Sequence, residues 1–179
     1  MSAFKILETE MALPETMSGV ALIGIGGPEM LEWRDDLTVP APSENDVIVR
    51  VKAAGVNNTD INTRNGWYSK GDSSPDDAAW TGSPLTFPRI QGADVCGEIV
   101  AVGTAVDPAR IGERILIEPC LREVNGKTLE TPWYFGSECD GGFAQYTRIA
   151  NQYAHAIDCE LTDTELASFP CSYSTAENM

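Results

Sequence analysis

Seven short apolar runs set the limits on what this chain can fold into. They are GVALIGIGG, EMLEWRDDLTVP, DVIVRVKAAG, DVCGEIVAVG, ERILIEP, GGFAQYTRIA and AHAI. Glycine, proline, asparagine or aspartate punctuates them, and their alternation and β-branched content read as strands. A length of 179 residues suits one domain with one sizeable core. Hydrophobic residues at 42% and charged residues at 22% are ordinary for a folded domain, so disorder is not expected. The expected body is mainly β, an antiparallel barrel or sandwich with a few short helices. No internal repeat or low-complexity tract interrupts it.

Three helix signals stand out. NNTDINTRNG follows the third strand with an asparagine or threonine cap and Gly66 as its stop. LTDTELASFP carries a capping box, Thr162 with Glu165, and ends before Pro170. CSYSTAENM opens a further helix, with Ser174 and Glu177 at capping-box spacing. It has room for only about one turn, which is marginal without further packing, so this last helix is expected to continue into a longer chain.

Charge and cysteine usage narrow the partners. With 12 basic against 27 acidic residues the formal charge is −15, a surface that repels phosphate backbones and anionic lipid headgroups. Nucleic acid and membrane are therefore not expected partners. Val20–Ile25 falls far short of the roughly 20 apolar residues needed to span a bilayer, and the start, MSAFKILETEMALPE, has no apolar signal region. The expected location is cytoplasmic. Five scattered cysteines, Cys96, Cys120, Cys139, Cys159 and Cys171, read as free thiols, most of them buried. The single histidine, His155, reads as a polar residue of an edge strand.

Two stretches need a decision. GIGGPE, Gly24 to Glu29, starts like a dinucleotide fingerprint, but Glu29 stands at its last glycine position and a strand follows; it reads as a hairpin turn. No phosphate-binding loop is expected in these residues. The long segment between Gly66 and Pro88 has no periodicity yet holds Trp67, Tyr68 and Trp80. Disordered segments are poor in aromatics, so it reads as a lid or pocket wall.

The most chemically loaded stretch is AAGVNNTD. A stiff run ends in Asn57, Asn58, Thr59 and Asp60. Spacing alone allows two readings. These residues can form a helix cap and Asx-turn, or they can be hydrogen-bond donors mounted on a rigid strand.

A resemblance bears on that choice. DVIVRVKAAGVNNTDINTRNGWY, PRIQGADVCGEIVAVGTAVDPARIGERIL and GGFAQYTRI, in this order and spacing, resemble the N-terminal catalytic domain of the medium-chain dehydrogenase/reductase family. The resemblance implies a GroES-like, partly open β-barrel over residues 17–170. It also implies an N-terminal extension over 1–16, and over 171–179 the start of a helix leading to a nucleotide-binding Rossmann domain absent from these residues. Zinc-dependent members carry ligands at the positions of Asn57, the block Gly92-Ala93-Asp94, and Cys171. Two of those three are missing here, and a catalytic zinc needs about three protein donors, so no metal is expected.

The pairing of GVN with QGADVCG is similar to the zinc-independent, quinone oxidoreductase-like branch. This implies NADP(H), bound mainly by the other domain, and a quinone, enone or carbonyl substrate. A homo-oligomer is a further expectation. In that reading Asn57 donates to the substrate oxygen, Thr59 donates or relays a proton, and Tyr68 adds a hydroxyl. Asp60 and Asp94 orient these donors, and Cys171 and Thr175 touch the cofactor edge. The rival expectation is a non-catalytic GroES-like binding or assembly module, using Trp67, Tyr68 and Trp80 as its contact surface.

Overall fold

A computed structural model describes residues 13–69 and 78–177. Its centre is a five-stranded antiparallel sheet of β3 (Asp46–Gly55), β5 (Asp94–Val102), β6 (Arg114–Ile117), β9 (Tyr146–Ala150) and β10 (Ala154–Ala156), in the order β10-β6-β5-β3-β9. A second sheet, ordered β2-β1-β4, comprises β1 (Thr16–Leu22), β2 (Leu31–Thr38) and β4 (Arg89–Ile90). The segment before β9 joins the two sheets. Val20 N donates to Phe143 O at 2.7 Å, and Phe143 N donates to Gln91 O at 2.8 Å. The result is a partly open, curled barrel, mainly β, as the apolar runs predict.

The core follows from the strand pattern. Val47, Val49, Val95, Ile99, Ile115, Ile117, Phe135 and Ile149 pack in one cluster. Neighbouring residues Val47, Ile48 and Val49 are all fully buried, so β3 is covered on both faces. β2, by contrast, is an edge strand with mostly exposed side chains. His155 sits on the edge strand β10, exposed, with Nε2 3.3 Å from Glu118 Oε2. The Gly24–Glu29 stretch is a turn: β1 and β2 pair antiparallel across it, and residues Pro28–Met30 form a 3-10 turn.

Two sequence expectations change. CLREVNGKTLETPWY, absent from the seven runs, forms a hairpin of β7 (Cys120–Val124) and β8 (Lys127–Tyr134). Its signal was Asn125-Gly126, both with positive φ (52° and 73°), which suits a two-residue hairpin turn. The last helix, α3 (Pro170–Glu177), opens at Pro170, where a fixed φ suits a first helical turn. Ser174 is therefore not its cap; it lies inside the helix and its hydroxyl donates to Cys171 O. The other two helices, α1 (Asn58–Arg64) and α2 (Asp163–Leu166), form where expected, α2 behind its Thr162–Glu165 capping box.

One glycine sets how closely the β3–β5 corner can close. A Cβ on Gly103 would lie 1.9 Å from Ser43 O and 2.4 Å from Glu44 O, both backbone atoms that cannot rotate away. Gly103→Ala is expected to cost about 2–3 kcal/mol through overpacking and to lower Tm by roughly 5–10 °C for a chain of this size. A thermal melt with an unchanged midpoint would contradict this close approach.

Candidate active site

β3 delivers the chain to Val56, 73% exposed, and then to Asn57, the N-cap of α1. Asn57 N donates to Asp60 Oδ2 at 2.9 Å, so the carboxylate of the third helical residue reaches back to the cap. Asp60 Oδ1 accepts Gly92 N at 3.0 Å, and Asp60 O accepts Gln91 Nε2 at 2.9 Å. One side chain thus ties the start of α1 to the loop before β5. Burial pushes the Asp60 carboxyl up to about 6, against the pull of the Asn57 and Gly92 N–H groups; the neighbouring Asp94 charge adds to the rise.

Asp94 opens β5 opposite Gly55 of β3 and is buried. Its Oδ2 accepts Asn57 Nδ2 at 3.1 Å, and its Oδ1 accepts Cys171 N at 2.6 Å. Burial raises its pKa, opposed by those two hydrogen bonds. The end of β3, the start of β5 and the first turn of α3 therefore meet on one carboxylate. The cap reading and the donor reading of Asn57 are compatible here: its backbone serves the helix start while its side chain is held on Asp94, with one amide hydrogen left over.

The remaining candidates fall into two pairs. Thr59 Oγ1 and Tyr68 OH lie 3.1 Å apart, and the Tyr68 ring meets the largely exposed Trp67 ring edge to face. Cys171 is buried, with its Sγ 3.0 Å from Tyr134 OH, while Thr175 Oγ1 donates to Cys171 O at 2.8 Å. Burial raises the Cys171 thiol, and burial followed by the Cys171 contact raises Tyr134, so both stay protonated at neutral pH. Trp80 stacks on Tyr134 with centroids 5.5 Å apart. The expected lid falls partly on residues 70–77, which lie outside the described residues.

A cleft of about 260 Å³ opens between the end of β3 and helices α2 and α3, lined among others by Gly55, Asn57, Asp94, Ser168 and Ser172. Asn57 and Asp94 thus share a cleft, whereas Thr59, Tyr68, Cys171 and Thr175 do not line it. A larger cavity of about 470 Å³ lies at the far end of β3, around Asp46 and the Asn125–Gly126 turn. Its walls are carboxylates, amides, small side chains and the Ser43 hydroxyl, and none of the candidate site residues lines it, so the smaller cleft, which holds Asn57 and Asp94, is the chemical candidate. Tyr134 was missed in the sequence because β8 was; the alternation after Asn125-Gly126 was the signal that could have found it.

The donor set does not suit zinc. Asn57 turns its amide nitrogen, a non-ligating group, toward Asp94; residue 93 is an alanine, and the Cys171 sulfur is engaged by a phenol. Among the described residues no group of three or more His, Cys, Asp or Glu side chains is arranged to hold a metal ion. Nor, among them, is any helix long and apolar enough to cross a membrane.

Comparison with known proteins agrees with this architecture. The family described as the alcohol dehydrogenase GroES-like domain matches residues 43–158. The quinone oxidoreductase of Homo sapiens is 29% identical over 160 residues, spanning 89% of this chain and 39% of that protein. The chloroplastic NADPH-dependent alkenal/one oxidoreductase of Arabidopsis thaliana is 27% identical over 176 residues, 98% of this chain and 40% of that one. A solved structure from Sinorhizobium meliloti 1021, assigned as an alcohol dehydrogenase, superposes with a TM-score of 0.83 at 44% identity, covering 93% of this chain and 47% of its own. The chain thus spans about 40% of the length of these two curated relatives.

The raised Asp60 carboxyl makes stability depend on pH. A folded-state value near 6 against the ordinary aspartate value of 3.8 means that the folded chain binds this proton more tightly than the unfolded chain. The stabilisation is full below about pH 4 and is lost as pH rises through about 6, amounting to on the order of 2–3 kcal/mol. Urea denaturation from pH 4 to 7 should show that fall in the wild type and a flatter profile in Asp60→Asn. Parallel profiles would refute the buried-carboxyl assignment.

Proposed function

The chain belongs to the alcohol dehydrogenase GroES-like domain family, and from that premise we propose that it forms the catalytic-domain part of a zinc-independent, NADP(H)-dependent oxidoreductase acting on a quinone, enone or carbonyl substrate. Supporting the substrate and cofactor class are the names of two relatives, a quinone oxidoreductase and an NADPH-dependent alkenal/one oxidoreductase. Residues 17–170 are the barrel, and the helix after them leads toward the part of those longer relatives that this chain does not span. That part has to grip the nucleotide phosphates, since GIGGPE is a turn.

The observation that carries the reading is the hydrogen bond from Asn57 Nδ2 to Asp94 Oδ2 at the mouth of the cleft. Bound reduced nicotinamide supplies the hydride; negative charge then collects on the substrate oxygen. An ionised Asp94 carboxylate can only accept, so it draws the nitrogen end of the Asn57 amide toward itself. The second amide hydrogen of Asn57 is thereby aimed before substrate arrives. Fixed donors of this kind are worth about 10²–10³ in rate. The Thr59–Tyr68 pair is a hydroxyl couple in which either oxygen can be the donor, suited to handing a proton to the reduced oxygen. Cys171, in the first turn of α3, and Thr175, one turn further on, act on the cofactor side.

In the full-length protein Asn57→Ala should lower kcat for hydride transfer about 10²-fold, read from nicotinamide absorbance, with the fold intact by circular dichroism. Unchanged turnover removes Asn57 from the mechanism. Metal analysis should find substoichiometric zinc after dialysis. One zinc retained per chain would overturn the zinc-free reading and return the site to a metal-assisted alcohol dehydrogenase.

A further inference from the structure

Helix α3 has little holding it to the barrel. Among its described residues only Cys171 is buried, and Tyr173 is exposed against Phe169. Cys171 is the second residue of the helix, so its N–H has no partner one turn back. That N–H goes to Asp94 Oδ1 at 2.6 Å. The side chain of the same residue makes a second polar anchor, Sγ to Tyr134 OH at 3.0 Å, inside a cluster of Ala93, Tyr134 and Cys171 flanked by Trp80 and Cys120.

Tyr134 is itself held on several sides. Its N donates to Glu138 Oε2 at 2.8 Å, and the other oxygen of that carboxylate, Oε1, accepts Thr81 N at 2.7 Å. Trp80 N donates to Ser137 Oγ at 2.9 Å while the Trp80 ring covers the phenol ring. The phenol is thus a rigid post between the chain around Trp80 and the first turn of α3.

We propose that Tyr134 is a positioning residue of the Asn57 site: by holding the Cys171 sulfur it keeps Cys171 N on Asp94 Oδ1, and so keeps Asp94 Oδ2 free to orient the Asn57 amide. This rests on the reading of Asn57 as the donor to substrate. With the hydroxyl gone, α3 pivots on one hydrogen bond, Asp94 gains freedom to rotate, and the Asn57 amide loses its fixed direction. Tyr134→Phe is a mild way to test this. It keeps the ring and the Trp80 stack, and it leaves unpaired only a thiol, which behaves as a small hydrophobe.

The decisive measurement is amide hydrogen exchange of Cys171 N–H in the 179-residue chain, because that proton has Asp94 as its acceptor. Tyr134→Phe should speed its exchange ten-fold or more and shift the Asn57 side-chain NH₂ resonances, while the core amide of Ile99 exchanges as in wild type. Cys171→Ala, which removes the same bond from the other side, should shift the Asn57 resonances alike. Unchanged Cys171 exchange, or acceleration shared equally by Ile99, overturns the proposal, the latter because the phenol would then be general packing. In the full-length enzyme Tyr134→Phe should lower kcat about ten-fold with KM within two-fold of wild type; an unchanged kcat also overturns it. These outcomes are separable from the Asn57 reading, which fails on the Asn57→Ala kinetics whatever the exchange data show.

Discussion

The carboxylate of Asp94 is the joint on which this end of the molecule depends. One side chain, buried at the start of β5, accepts from the Asn57 amide and from the first turn of α3. A buried carboxylate is costly unless its oxygens are hydrogen-bonded, and here both are. Desolvation and these two bonds pull its pKa in opposite directions, with desolvation the larger. The geometry around Asn57 therefore depends on both oxygens of Asp94 accepting, one from the Asn57 amide and one from the start of α3.

Asp60, one helical turn on from Asn57, repeats the arrangement. It closes the start of α1 and the loop at Gln91–Gly92 in the way that Asp94 closes α3 and the end of β3. Two buried carboxyls of like charge, each raised by burial, flank a single asparagine. A barrel end with this density of satisfied polar groups is stiff, which is what a donor network needs if it is to be in place before charge develops.

Much of the barrel was legible in the sequence because its strands leave a trace of short apolar, β-branched runs, alternating in β1 and continuous where β3 and β5 are covered on both faces. GVALIGIGG, DVIVRVKAAG and DVCGEIVAVG carry that trace and became β1, β3 and β5. β7 and β8 were harder: CLREV and KTLETPWY mix charged and polar side chains over a hairpin that is only partly covered, so hydrophobicity alone does not mark them. The Asn-Gly turn did mark them. The start of α3 was misplaced for a different reason. Pro170 reads as a stop for what precedes it, yet its fixed φ makes it equally a start, and only the position of the next turn decides between the two.

For the site, sequence alone determined that Asn57, Thr59 and Asp60 follow a rigid strand, which follows from residue type and neighbours along the chain. The tertiary structure decided which of these groups meet. Asp94 reaches Asn57 across 37 residues and Cys171 across 77, and Tyr134 reaches Cys171 across 37. Such contacts leave no periodicity, because they depend on how β3, β5 and β8 are brought side by side and on where a short helix lands. A local pattern can place a donor at the end of a strand, but only the folded chain can say what holds it still.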